Sequence, residues 1–342
     1  MTALSLRRGS VVSVERSGPA AEITVDVGGR HRAALSYEPL TGPVEPGDDV
    51  VVNTAALDLG LGSGGFDIVH VNLTRGLEGR GITGAHVMKL NYTSLQHAVH
   101  PIEEASPELG GVAPLAGRAV AVIALHGQLP CVAWAAAQLR PGARIGYVQT
   151  AGGALPGALS RVVRDLIDRG LLVGHITAGP AFGGAHESIS IAGGLHSGIA
   201  ALDWDAVIAG PGPGILGSAT ALGHGGMVAL DSAHAALALG ARTIVVPRMS
   251  SGDPRPRHRD LSHHTMTVLE LLLRPVRVAI PEGIHANLPR GHEGREGAAD
   301  LDGYMASGLP VRTMGRGPDE DELFFRAALA GGSVLGEAIH AV

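Results

Sequence analysis

The spacing of hydrophobic and polar positions divides the chain into two parts. In the first 80 residues, apolar and polar positions alternate along short segments such as residues 21–27, which is typical of half-buried strands. Gly28 and Gly29 predict a hairpin turn between two of these strands. We therefore predict a small antiparallel β-barrel-like domain over residues 1–80, followed by an extended connection over residues 81–115.

From residue 116 to residue 342, continuous apolar runs alternate with glycine-rich turns and helical stretches. Residues 119–125 form such a run, which is expected of a parallel strand covered on both faces. Later strands and helices are predicted at 144–149, 156–169, 171–176, 206–209, 225–239, 243–246, 261–273 and 276–280. Alternating strands and helices predict an α/β domain with a largely parallel, doubly wound sheet.

Pairs of small residues mark four places where we expect strands to end. They are Ala151–Gly152, Ala178–Gly179, Ala192–Gly193 and Ala209–Gly210. Loops after parallel strands emerge at one edge of the sheet, and ligands bind in the crevice there. We expect this edge to bring together His126, the glycine-rich loop of residues 210–220 and residues 247–265.

Residues 247–265, which we call the Arg/His segment, carry most of the candidate chemistry. Their cations repel one another unless an anion or carboxylates lie among them. We predict acid–base roles for the acidic and imidazole groups and anion binding for the guanidinium groups. The predicted acid–base residues are Asp253, His258, His263, His264 and, outside the segment, His126; the predicted anion-binding arginines are Arg255, Arg257 and Arg259. Alternatively, Ser262 caps a helix and places His263 and His264 in its first turn.

The loop after the strand at 206–209 is a candidate anion cradle. Its glycines leave backbone amides unobstructed, and its hydroxyl groups add donors. The residues concerned are Gly212, Gly214, Gly217, Ser218 and Thr220. A rigid turn without a ligand explains the same composition.

Composition excludes several classes of protein. Lys89 is the only lysine and has no glycine-rich loop beside it, so a P-loop is absent. A net charge of −6 and 3% aromatic residues argue against a nucleic-acid partner. The apolar runs are too short to predict a membrane span. Because Cys131 is the only cysteine and the first residues lack a signal-peptide pattern, we expect a cytoplasmic protein.

The sequence does not identify a cofactor. Its seventeen histidines are compatible with a divalent metal, although neither the zinc-protease motif nor a Cys-x-x-Cys pair occurs. The favoured function is an enzyme of hydrolase or transferase type acting on a small anionic metabolite. The alternatives are a non-catalytic metabolite sensor and a structural network in the Arg/His segment at a subunit interface. The chain is therefore also a candidate homo-oligomer.

Four stretches resemble a bacterial, mainly actinobacterial family known as domain of unknown function 3866. They are residues 56–62, residues 89–96, the loop of residues 210–220 and Leu261-Ser-His-His-Thr. The resemblance extends over nearly the whole chain and implies a shared fold. It implies no activity, cofactor or site residue.

Overall fold

The computed structural model describes residues 3–61, 64–115 and 117–339. The chain divides into two compact units, with the boundary between Val99 and His100. The first unit contains strands Leu6–Ser17 (β1), Ala20–Val27 (β2), Arg30–Tyr37 (β3), Asp49–Asn53 (β4), Asp67–Asn72 (β5), Val87–Lys89 (β6) and His97–Val99 (β7), and short helices Glu38–Thr41 (α1) and Ala55–Asp58 (α2).

The first five strands close into a barrel in the order β1-β2-β3-β5-β4. Alternation along β4 places Val50 and Val52 in its core. The turn between β2 and β3 uses Gly28 and Gly29, whose φ angles of 60° and 81° suit a two-residue hairpin. Neighbouring strands are antiparallel except β3 and β5, which run parallel.

The second unit is a three-layer α/β domain. Its strands are Ala119–Ile123 (β8), Ile145–Thr150 (β9), Gly174–Ala178 (β10), His186–Ser188 (β11), Ala206–Pro211 (β12), Arg242–Val246 (β13), Met249–Ser250 (β14), Asp260–Leu261 (β15), Arg277–Pro281 (β16) and Glu293–Gly297 (β17). Its helices are Leu129–Leu139 (α3), Arg161–Asp168 (α4), Ile191–Ala200 (α5), Val228–Ala238 (α6), His263–Leu271 (α7), Leu301–Ala306 (α8) and Pro318–Ala338 (α9).

Eight of these strands form one sheet in the order β11-β10-β9-β12-β8-β13-β16-β17. All pairs in this sheet are parallel. Along β8, Ala121 and Ile123 belong to the core that includes α3 and α9, whereas Val120 and Val122 belong to the core on the opposite face with α5 and α6. The predicted doubly wound α/β fold is therefore confirmed.

Several local predictions were wrong. The helix predicted at residues 156–169 begins only at Arg161, and the strand predicted at residues 171–176 begins only at Gly174. Ala192 and Gly193 do not end a strand but lie in the first turn of α5, where the Ser190 side chain accepts the Gly193 N–H. Helix α7 begins at His263 rather than Leu261, because Leu261 pairs with Met249 in the β14–β15 ribbon. In the described part of the chain, no helix has both the length and the apolar character needed to span a bilayer.

Candidate metal centre

The Arg/His segment folds back on itself beyond the end of β13. Strands β14 and β15 pair antiparallel, and the Ser262 N–H donates to the Arg248 carbonyl oxygen over 3.0 Å. Between the two strands, residues 256–258 form a turn of 3-10 helix. Closure of this loop brings His258 next to the first turn of α7, which carries His263 and His264.

Three imidazoles meet at this point. His258, His263 and His264 each offer a ring nitrogen, and these three atoms lie within 4.8 Å of one another. His258 and His264 are buried, and His263 is half-buried. The Nε2 atom of each ring is buried without a hydrogen-bond partner among the described residues. Buried polar atoms are normally paired, so three unpaired nitrogens in one place are together available to an ion, a water molecule or a polar ligand.

Ser262 contacts both His264 and His258 and holds them in place. Its Oγ accepts the His264 N–H at 3.2 Å, as an N-cap, and lies 2.8 Å from His258 Nδ1. A neutral imidazole that donates from Nδ1 has a free lone pair on Nε2. The contact with Ser262 therefore orients His258 as outer-sphere partners orient metal-binding histidines.

All three imidazoles are held in the neutral form. Burial is the main cause of the lowered pKa of each ring. Positive charge adds to this effect, from Arg248 on His258 and from Arg257 on His263. Neutral imidazole is the form that ligates metal ions.

His224 is a fourth member that sequence reasoning missed. Its ring stacks on that of His264, with centroids 3.5 Å apart and planes 9° from parallel. It is buried at the end of the loop that follows β12, four residues beyond the stretch considered above. A histidine flanked by Gly223 and Gly225 after a parallel strand was the available signal.

The arginines beside the histidines form an ion-pair network with two buried carboxylates. Asp253 pairs with Arg248, Arg255 and Arg316 at 2.9, 2.9 and 3.3 Å. Asp321 pairs with Arg316 and accepts the Ser250 hydroxyl at 2.7 Å. Although burial opposes ionisation, hydrogen bonds and positive charge hold the pKa of Asp253 well below its usual range. Asp253 is therefore an ionised partner of the arginines and does not contact the imidazole nitrogens.

The three predicted anion-binding arginines differ in their surroundings. Arg255 donates to Asp253, and Arg259 donates to the Asp253 carbonyl oxygen at 3.3 Å. Arg257 is exposed and makes neither a hydrogen bond nor an ion pair with any described residue. It lies near enough to His263 to lower the pKa of that ring. Arg257 is thus the one of these three arginines that has no hydrogen-bond or ion-pair partner among the described residues.

The glycine-rich loop bonds mainly to itself. The amides of residues 216, 218, 220 and 223 donate to Gly152, Gly223, Ser218 and Thr220 respectively. The hydroxyls of Ser218 and Thr220 lie 2.8 Å apart, and a side chain at Gly212 would overlap the Ala154 carbonyl. Gly214 and Gly217 are open, and Gly214 has a φ of 72°. These contacts favour the rigid-turn interpretation, and the turn delivers His224 to the cluster through a bridge between Gly217 and His224.

His126 lies in a second group of buried polar residues at the same sheet edge. Its Nε2 is 2.8 Å from Ser160 Oγ, and its Nδ1 is 3.2 Å from the Pro211 carbonyl oxygen. Since a carbonyl only accepts, Nδ1 carries the proton and Nε2 accepts from Ser160. Burial lowers the pKa of His126 to about 4. Both ring nitrogens are therefore occupied.

The imidazole cluster fits a divalent ion of the zinc type. Zinc is held by histidine nitrogens at 2.0–2.1 Å in a tetrahedron, which separates the nitrogens by about 3.3 Å. The ring nitrogens, which lie within 4.8 Å of one another, must come closer for all three to bind one ion. Ligation through His264 Nε2 puts the proton on Nδ1, so the 3.5 Å contact of that atom with Arg248 Nη1 must lengthen. Three protein ligands leave a fourth position open.

A family model described as "Protein of unknown function (DUF3866)" matches residues 33–332. The match confirms the resemblance drawn from four sequence stretches, whereas the bacterial origin expected from it stays a prediction. No curated protein and no solved structure matches the chain.

Proposed function

The chain belongs to the DUF3866 family, whose description assigns no activity, and from its geometry we propose a metal-dependent enzyme of the hydrolase type that acts on a small anionic metabolite. The ion is held by His258, His263 and His264 beyond the end of β13. The observation that carries this proposal is a group of three histidines whose Nε2 atoms are buried and unpartnered among the described residues, and whose nearest ring nitrogens lie within 4.8 Å of one another.

The surrounding charge supports an anionic substrate. Arg248, Arg255 and Arg316 are balanced by only two carboxylates, Asp253 and Asp321. A divalent ion on three neutral imidazoles adds further positive charge without any carboxylate ligand. An anion in the open position offsets this excess, and the Arg257 guanidinium is a further cation that can bind the same anion.

Each group then has a distinct role. The bound ion supplies Lewis acidity toward a carbonyl or phosphoryl oxygen and lowers the pKa of water. Arg257 binds the anionic group of the substrate. His224, stacked on His264, is placed to exchange a proton with the reacting group. Asp253 and Arg248 hold the loop, and Ser262 orients His258.

Titration with Zn²⁺, Co²⁺ and Mn²⁺, followed by assays on small carboxylate and phosphate esters, tests the proposal. We expect one ion per chain and turnover that His263→Ala abolishes. Arg257→Ala should retain the ion and raise KM about tenfold, because one charge-assisted hydrogen bond is lost. Arg259→Ala is the matched control, since that side chain donates only to a backbone carbonyl.

Metal binding without turnover on any ester would favour the sensor alternative over an enzyme. A protein that binds none of the three ions would contradict the proposal altogether. In that case the remaining interpretation of the Arg/His segment would be a structural role, based on the ion pairs of Asp253.

A further inference from the structure

A second feature of the same sheet edge is a mostly apolar cavity of about 370 Å³. Its walls include Leu125 after β8, Pro130 of α3, Val162 of α4, Ile215 of the glycine-rich loop, and Pro310 and Met314. This volume lies within the range of small-molecule sites, which are typically apolar pockets with few polar groups. The polar side chains on its wall are those of His126, Arg312 and Thr313.

The cavity wall reaches the histidine cluster through two side chains. Met314 Sδ lies 3.7 Å from Arg248 Nη2, and Arg248 Nη1 lies 3.5 Å from His264 Nδ1. The glycine-rich loop forms a second connection, because Gly214 and Ile215 line the cavity and His224 at the end of the loop stacks on His264. An apolar space and an imidazole cluster are therefore neighbours at one rim.

Met314 is held over the cavity in a strained conformation. Its φ of 49° and the φ of 80° at Gly315 make a two-residue turn, closed by paired hydrogen bonds of 2.9 Å between Thr313 and Arg316. Glycine or asparagine is favoured at such a position, and an unbranched apolar side chain is not. Strain retained at one residue is often functional, and here it places a flexible apolar side chain between the cavity and Arg248.

We propose that the substrate is amphiphilic: a medium-length aliphatic chain occupies this cavity while a carboxylate or acyl head lies at the three histidines. This inference rests on the proposed function, since it assigns the head group to the same metal centre. The apolar walls select the chain, and the excess positive charge around Arg248 and Arg257 selects the head.

Calorimetric titration of the zinc-loaded protein with octanoate and with acetate tests the inference. Each buried methylene strengthens binding by roughly fourfold, so octanoate should bind at least a hundredfold more tightly than acetate. Val162→Trp and, on a different element, Ile215→Trp fill the cavity and should each reduce octanoate affinity to that of acetate. Neither variant should change zinc affinity. His263→Ala should weaken the binding of both carboxylates.

The outcomes separate the two proposals. If zinc does not bind the unmodified protein, the proposed function fails. If zinc binds but octanoate and acetate bind equally, only the substrate class is overturned. Octanoate binding that survives both tryptophan variants, or that is unaffected by His263→Ala, also overturns it, because the chain would lie elsewhere or the head would not reach the histidines.

Discussion

Two groups of buried histidines belong to the same sheet and differ in hydrogen bonding: His126 follows β8 and His175 lies within β10, whereas the other group follows β13. His126 bonds through both nitrogens, and His175 Nε2 lies 3.1 Å from Gln149 Oε1. In the other group, the Nε2 atoms of His258, His263 and His264 have no partner among the residues described. Burial lowers the pKa of the histidines in both groups.

The difference shows which property identifies a ligand site. Burial and a lowered pKa are common to both groups, so neither separates a structural histidine from a metal ligand. Several unpaired buried nitrogens gathered at one point do separate them, because leaving each such group unpaired costs about 1–3 kcal/mol. A single one, such as Nε2 of His196, does not. Of the four predictions that follow, the first three test this distinction and the last tests the effect of burial on one histidine.

The largest effect should be on metal affinity. His258→Ala, His263→Ala and His264→Ala should each weaken zinc binding by more than about 100-fold, since loss of even an outer-sphere partner costs 10–100-fold. His126→Ala, the matched control from the other group, should leave zinc affinity unchanged in a competition titration. Equal losses from both groups would show that the distinction is wrong.

In the metal-free protein, the order of the effects on stability should be reversed: the His126 variant should lose more stability than the His263 variant. His126→Ala should reduce the free energy of unfolding by about 2–3 kcal/mol, because the buried Ser160 hydroxyl loses its acceptor and a cavity forms. His263→Ala should change it by less than about 1 kcal/mol, because its Nε2 has no partner to lose. Urea unfolding in the presence of a chelator measures both values. A large loss of stability in His263→Ala would indicate that His263 is structural.

Removal of the Ser262 hydroxyl should weaken zinc binding by 10–100-fold, because His258 loses the partner of its Nδ1. Ser262→Ala should also cost about 1 kcal/mol of stability through loss of the helix cap. Ser190→Ala is the control, since Ser190 caps α5 in the same way and its side chain makes no hydrogen bond with a histidine in the described chain. If both variants bind zinc as the unmodified protein does, Ser262 is a cap only.

Acid should lower the free energy of unfolding through the buried histidines His126 and His175. Burial lowers the pKa of His126 to about 4 and of His175 to about 3, whereas histidine in the unfolded chain titrates near 6.5. Below pH 6.5 the unfolded state therefore binds more protons, and stability falls as pH falls. Between pH 7 and pH 5, His126 should account for about 2 kcal/mol of the loss. In His126→Ala that part should be missing from urea curves measured at the two pH values; an unchanged loss would contradict the assignment.

Much of the second unit was predictable because its central strands are buried on both faces. The run Ala119–Ile123 has no polar position, and it forms β8 in the middle of the sheet. The edge strands β11 and β17 were missed, because residues 186–188 and 293–297 are short and polar and become strands only by pairing with a neighbour. Helix α5 was missed because Gly193, Gly194 and Gly198 lower its helix propensity. A side chain at Gly198 would collide with Trp204, so this glycine serves close packing.

The candidate site was predicted only in part. His258, His263 and His264 could be chosen because they are adjacent in sequence and follow a buried strand. The ion-pair network could be predicted only in part. Arg316 and Asp321 lie more than 60 residues after Asp253 and join the network only in the folded chain. The expectation that distant segments share one rim agrees with the stacking of His224 on His264.

The most direct measurement is an anomalous difference map at the zinc absorption edge, from crystals of the protein grown with zinc near pH 7. We predict one peak about 2.0–2.1 Å from Nε2 of His258, His263 and His264, with a non-protein ligand in the fourth position. A map with no peak at these nitrogens, at a zinc concentration that loads other sites on the protein, would contradict the metal centre.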